Sequence, residues 1–391
     1  MFATAFARSL RRELTHLVQN RWDRALLLWL PLLTAVILIA VFSAGQIREL
    51  PIAVLDHDGS AASRQLVRLV DAAPGVRVAA SFAERGEAIS AVRARKLYGI
   101  LEISGDFGRK LKTGQQADVL FFYNAQFATA AGILARDVQA ACLTFGAGVR
   151  VLAREKRGEN PVAVAESAQP VRTRLISAFN ESIDYRVFLA GSLFPAVLQI
   201  FVMVIGASVV GREIRDRTLG EWLAHCEGCA SGALAGKLTP AALIYSFWAL
   251  AFLALWGHAA GGLPAAKLAL LAVGILAMVA AYLLLGAFTV ASSANLRSAL
   301  SSAGFYTAPA FAYVGQTFPL MAMPVAAKIW AAILPLTWWL RLQTEQGLMD
   351  APFTASLKSF SVLLGFAFFS APLAILALHR IAAQPQRWGA R

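Results

Sequence analysis

The sequence is poor in acid, poor in cysteine and, along its longest apolar runs, without charge of any kind. Only 23 Asp and Glu stand against 36 Lys and Arg, a formal net charge of +13. The three cysteines, Cys142, Cys226 and Cys229, exclude a disulfide framework. Only Cys142 falls in the long polar insert, so no bridge can close within it. No Asp, Glu, Lys or Arg interrupts residues 25–45, 187–211, 239–257, 268–291 or 359–378. Ion-coupled carriers place ionisable groups at mid-membrane, so a chain that moves cargo without them needs another source of energy. A nucleotide site of its own is missing too. In "SGALAGKLT" Gly232 stands one residue too close to Gly236 for a phosphate loop, and Leu238 replaces the hydroxyl. His225, Cys226 and Cys229 lack a fourth zinc ligand, and "DHDGS" (56–60) lacks the other oxygens of a calcium loop. No Ser/His/Asp or metal constellation lies on the apolar runs. The chain reads as a non-enzyme with no cofactor.

What is present is hydrocarbon. At 58% hydrophobic and 15% charged, the composition is not that of an ordinary soluble domain. The five runs are each long enough to cross a bilayer, since about 20 residues at 1.5 Å rise suffice. A sixth region, 298–327, is uncharged but carries Pro309, Pro319 and Pro324, which predicts a kinked or broken crossing over 298–321. The segment 328–342 is apolar, short and rich in tryptophan, as an interfacial or re-entrant segment would be. The expected fold is an α-helical integral membrane protein of six transmembrane helices with an inserted extracytoplasmic α/β domain. The membrane domain covers 187–380 and a cytoplasmic tail 381–391.

The placement of charge argues against nucleic acid. The insert (46–186) holds 19 basic and 15 acidic residues, a mixed surface. The short segments at one side of the runs hold Arg8, Arg11, Arg12, Arg21, Arg24, Arg212, Arg215, Arg217, Lys237, Arg297, Arg380, Arg387 and Arg391. The other side holds Lys267, Lys328, Arg341 and Lys358. This positive-inside bias puts both termini in the cytoplasm and the insert outside. The charged leader and first apolar run are both too long for a signal peptide, so the first span reads as an uncleaved anchor.

Residues 1–24 form an expected elbow. Phe2, Phe6, Leu10, Leu14 and Leu17 recur at helical spacing, with Arg8, Arg11, Arg12 and Glu13 off that stripe, as in a helix lying in the headgroup layer. Pro31 should bend the first span. In the insert, residues 50–56, 76–81, 97–104 and 117–124 read as strands. Helices are expected after Ser60 or Ser63, over 83–96 and from about 126 to 157. Residues 158–186, with Pro161, Pro170 and Asn180, lead back to the bilayer.

One patch stands out. "GREIRDRTLGEW" packs Arg212, Glu213, Arg215, Asp216, Arg217 and Glu221 between two spans. Glu213 with Arg217, and Arg217 with Glu221, have the spacing to pair along a short helix. The plain alternative is a solvated loop helix that stops the span from sliding.

Several stretches together resemble the permease subunits of type-2 ABC exporters, in the subgroup with a large external domain after the first span. "RELTHLVQNRWDRALLLWLPLL" is similar to the elbow helix and first span. "IAVLDHDGSAASRQLV" is similar to the strand, acidic turn and helix start of the external domain. "YGILEISGDFGRKLKTGQQADVLFFYNA" resembles its next strand, turn, basic helix and strand, with Ser104, Gly105 and Asp106 in place of the common proline. "GREIRDRTLGEWL" resembles the intracellular E-x-x-x-G-T-x-E element: Glu213, Thr218 and Glu221 fit, while Leu219 and Gly220 depart from it. "ILPLTWWLRL" resembles the segment before the last span.

The resemblance implies a permease that pairs with a second copy or a close relative and with separate ABC ATPase subunits. It implies that Arg212, Glu213, Arg215, Asp216, Arg217, Thr218 and Glu221 couple to the ATPase, with the elbow residues Arg8, Arg11, Arg12 and Glu13 beside them. An amphipathic substrate such as a drug or lipid-like molecule, a bacterial inner-membrane location and a periplasmic adaptor complete the expectation. The competing expectation is a membrane-anchored scaffold or receptor that transports nothing.

Overall fold

A computed structural model describes residues 1–155, 179–180 and 183–389. Most of the returning segment 158–186 and the last two residues of the tail lie outside the described residues. The chain divides into two compact units, residues 1–45 with 177–391, and residues 46–176.

The first unit is helical. It opens with α1 (Phe2–Gln19) and α2 (Arg21–Val41). The second unit supplies β1 (Leu50–Asp56), α3 (Ala61–Asp71), β2 (Val76–Ser81), α4 (Arg85–Arg93), β3 (Gly99–Ile103), α5 (Phe107–Lys112), β4 (Val119–Tyr123) and α6 (Ala128–Glu155). The helical unit resumes with α7 (Arg186–Arg215), α8 (Leu219–His225), α9 (Ala230–Ala259) and α10 (Ala265–Ser293). It ends with α11 (Leu296–Thr307), α12 (Ala310–Tyr313), α13 (Val325–Ala332), α14 (Pro335–Leu348) and α15 (Phe353–Ala382).

Five helices, α2, α7, α9, α10 and α15, are long and apolar enough to cross a bilayer. Over 298–321 the chain is broken rather than only kinked: it forms α11 and α12, neither long enough to span alone. Pro309 follows the end of α11 and cannot supply the N–H that would continue it. The pair α13 and α14 bends by 84°, as a broken span or a re-entrant loop does. Among the described residues the helical unit therefore holds five candidate spans, or six if that bent pair counts as one.

At the centre lies α10, packed along α7 on one side and α15 on the other. The α7–α10 crossing is close because glycine faces backbone. A Cβ on Gly206 would stand 2.3 Å from the Leu283 carbonyl oxygen, and one on Gly286 2.3 Å from that of Met203. Small residues of this kind let two helices meet where lipid supplies no hydrophobic drive.

A proline or a wide turn in a span leaves a carbonyl without a helical donor, and at Pro31, Pro195 and the π-turn Arg186–Ala190 a neighbouring side chain takes it. Pro31 follows the π-turn Ala25–Trp29, so the carbonyls of Leu26 and Leu27 face a residue with no N–H. Tyr245 Oη donates to Leu26 O at 3.1 Å and Trp248 Nε1 to Leu27 O at 3.1 Å. Pro195 likewise frees the Gly191 carbonyl, which accepts from Gln343 Nε2 at 3.1 Å. At the π-turn Arg186–Ala190, Trp256 Nε1 donates to Val187 O at 3.0 Å. In hydrocarbon an unpaired backbone group is costly, which accounts for these polar side chains inside the bundle.

The second unit is a four-stranded sheet in the order β2-β1-β3-β4. β1 runs parallel to β2 and β3, and β4 pairs antiparallel with β3. β1 is one of the two inner strands, and its nearly unbroken apolar run is buried on both faces. One face packs Ala53 and Leu55 with Ala88, Leu97 and Ile100. Ser60 caps α3 by accepting from Ser63 N at 3.2 Å. The acidic turn is spent locally: Asp56 accepts from the N–H groups of Asp58 and Gly59, each at 3.0 Å, and from Ser63 Oγ at 2.7 Å.

Candidate functional site

The charged patch after α7 does not behave as one surface. Its first half, Arg212 to Ile214, continues α7 as buried helix, while Arg215, Asp216, Arg217 and Glu221 are exposed. The expected pairing of Arg217 with Glu213 and Glu221 is corrected. Arg217 stands in the left-handed region at φ 61° and ends the helix instead. Arg217 occupies the glycine position of the E-x-x-x-G-T pattern, a departure beside Leu219 and Gly220, and a positive φ is the geometry that favours glycine there.

Glu213 turns inward. Its carboxylate accepts from Arg12 Nη2 at 2.8 Å, from Arg12 Nε at 3.3 Å, from Lys237 Nζ at 2.6 Å and from Thr218 Oγ1. Arg212 donates to Asp23 Oδ2 at 2.6 Å and to Glu13. Lys237 also lies 3.3 Å from Glu13 Oε2. His16 Nε2 stands 3.1 Å from Asp23 Oδ2. Three carboxylates (Glu13, Asp23, Glu213) thus meet three cations (Arg12, Arg212, Lys237) drawn from α1, α2, α7 and α9. Glu13 and Lys237 are each 1% exposed, so charges with almost no water depend on one another for compensation.

Around this cluster α1 lies along α9. A Cβ on Gly232 would come 2.7 Å from Phe2 O, and one on Gly236 2.3 Å from Phe6 O. The glycines of the apparent phosphate loop therefore serve a helix–helix contact, and its lysine is the buried Lys237. Ser9 Oγ donates to Ala233 O at 2.7 Å and accepts from Trp222 Nε1 at 2.9 Å. The Lys237 ammonium stands 4.8 Å from the centre of the Trp222 ring, a cation–π distance.

The face of α1 that packs on protein is Ala5, Ser9, Glu13 and Leu17. Phe2, Leu14 and Val18 point outward from it. Arg8 reaches α8 and the turn after it, donating to His225 O at 3.0 Å and pairing with Glu227 at 3.0 Å. Arg11 is exposed.

The outer half of the patch is braced by the C-terminal tail. Gly389 N donates to Ile214 O at 3.0 Å, and Trp388 packs on Gly220 while its Nε1 donates to Ile381 O at 2.8 Å. Arg215 grips Asp216 through two hydrogen bonds of 2.8 and 2.9 Å, and this holds the Asp216 carboxyl below its ordinary range. A cavity of about 420 Å³ opens beside the cluster, lined by Arg12, His16, Arg212, Glu213, Asp216 and Lys237 among others.

The sequence reading assigned no site role to Asp23, His16, Trp222, Lys237 or Trp388. A lysine at the mouth of an otherwise uncharged span was the available signal, because such a group needs a partner. Cys226 is buried and Cys229 Sγ lies 3.6 Å from Ser231 Oγ.

The ABC-2 family transporter protein model matches residues 21–376. The chain belongs to that family: it is a multi-pass membrane protein with the role of a permease, and the family works with ABC ATPase subunits. No curated protein matches the sequence.

Proposed function

We propose that the chain is the membrane subunit of an ATP-driven exporter, with cargo passing between two such chains and ATP hydrolysed by separate subunits. The observation that carries the proposal is the division of the charged patch. Its inner residues, Arg212 and Glu213, are locked to α1, α2 and α9, while Arg215, Asp216, Arg217 and Glu221 remain on the surface beside them. A force applied to the exposed residues reaches four helices through one buried knot.

In this reading α1 lies at the cytoplasmic headgroups, Arg8, Arg11 and Arg12 face that side, and Glu13 ties the elbow to the spans. Thr218 bridges the two halves through its bond to Glu213. The sheet unit faces the opposite side, where it shapes an exit or meets a periplasmic adaptor. The charge-free spans favour an amphipathic cargo.

The test is co-purification of an ABC ATPase with the full chain. Arg215→Glu with Arg217→Glu should release it while leaving the thermal midpoint near wild type. Retention of the ATPase by that folded variant, or no ATPase with the wild type, refutes the assignment. Reversal at Glu213 is a poorer probe, because it breaks the knot itself.

A further inference from the structure

At the other ends of α2, α7 and α9, away from the charge cluster, these helices line an open-sided cavity of about 450 Å³. That volume lies in the range of small-molecule sites, about 300–1,000 Å³. Its walls include Leu38, Phe42, Phe194, Trp248, Phe252 and Trp256. Both indole N–H groups are already given to the carbonyls of Leu27 and Val187, and the Ser43 hydroxyl to that of Ala40. Apart from Arg186, the lining side chains therefore keep no hydrogen-bond donor for an occupant.

Polarity appears at one rim. Arg186 is held by Asp184 through Nε at 3.0 and 3.1 Å and Nη2 at 2.5 Å, and its side chain is 53% exposed. Its Nη1 donates to no partner among the described residues. From Trp256 to Trp248 the wall runs eight residues, about 12 Å at 1.5 Å per residue. One leaflet's hydrocarbon is about 15 Å thick. A carbon-lined slot of leaflet depth, with the open Nη1 edge of an ion-paired guanidinium at its end, fits a chain whose head carries a phosphate acceptor.

We propose that this cavity holds an acyl chain of an anionic membrane phospholipid, with its phosphate on Arg186. The lipid fills the wedge between α2 and the α7–α9 pair. The assignment is independent of the ATPase reading, since it requires only that these helices span a bilayer.

The test uses the full chain reconstituted in vesicles of equal phosphatidylglycerol and phosphatidylcholine, extracted in mild detergent and weighed by native mass spectrometry. The wild type should keep one phosphatidylglycerol per chain. Ala251→Phe and Ala35→Phe fill the slot from different walls, and each should lower retention at least tenfold. If one filler does not fold, the other decides. Arg186→Lys should keep the lipid, and Arg186→Gln should lose the preference for phosphatidylglycerol. Wild-type retention in a folded filler overturns the proposal, as does equal retention of both lipids, or of neither, by the wild type.

Discussion

Consider the buried pair Lys237 and Glu213. Glu213→Gln leaves the Lys237 ammonium, 1% exposed, with only Glu13 at 3.3 Å and the face of Trp222. Lys237→Met leaves Glu13 and Glu213 short of a cation. Removing one partner of a buried pair costs about 3–5 kcal/mol. At roughly 2 °C per kcal/mol for a unit of about 260 residues, each single variant should melt roughly 6–10 °C lower. The double variant should behave differently. It leaves Glu13 and Asp23 facing Arg12 and Arg212, two charges of each sign, so the cluster is again neutral. Groups in contact couple by about 0.5–3 kcal/mol, and here the coupling should be favourable and near the upper end. The assay is thermal unfolding in detergent, followed by tryptophan fluorescence or by loss of the monodisperse peak. A double-variant deficit equal to the sum of the singles, or a single variant that melts with the wild type, refutes the idea of one coupled knot.

Gln343→Leu should cost about 1–3 kcal/mol by stranding the Gly191 carbonyl, and Pro195→Ala should recover part of that loss by restoring a helical donor; thermal midpoints of the three proteins decide it. Gly286→Leu should force α7 from α10 and lower the yield of folded protein, whereas Gly304→Leu, where a Cβ meets nothing within 4 Å, should not. In the sheet unit, Arg85 donates to Glu102 at 2.8 and 2.7 Å and holds that carboxyl below its ordinary range. Because the folded value is depressed, the stabilisation is full above the ordinary glutamate range and is lost as pH falls through the folded value. Arg85→Gln should therefore move acid unfolding of the full chain to higher pH, which circular dichroism against pH would show.

The spans were legible because about 20 uncharged apolar residues have few alternative uses. In the sheet unit, β1 and β2 occupy the residues their patterns mark, 50–56 and 76–81. What the sequence hid was long-range pairing. Helical spacing shows Arg217 near Glu213, but Arg12 lies 201 positions away in sequence and Asp23 is 189 from Arg212. The packing face of α1 was hidden for another reason. Ala5, Ser9 and Glu13 repeat every four residues, yet they are small or polar, and a search for apolar stripes finds Phe2, Phe6 and Leu10 instead. Prolines around 309–324 were visible, but whether they kink a crossing or break it depends on which neighbours accept the broken ends.

The two cross-helix bonds at Leu26 and Leu27 give α2 a fulcrum near its charged end. From Leu27 the short arm runs four residues to Asp23 and the long arm fourteen to Val41, about 6 Å against about 21 Å at helical rise. A tilt that shifts the ion-paired tip by about 1 Å would sweep the far tip through about 3.5 Å, so this helix magnifies whatever stroke arrives at its base.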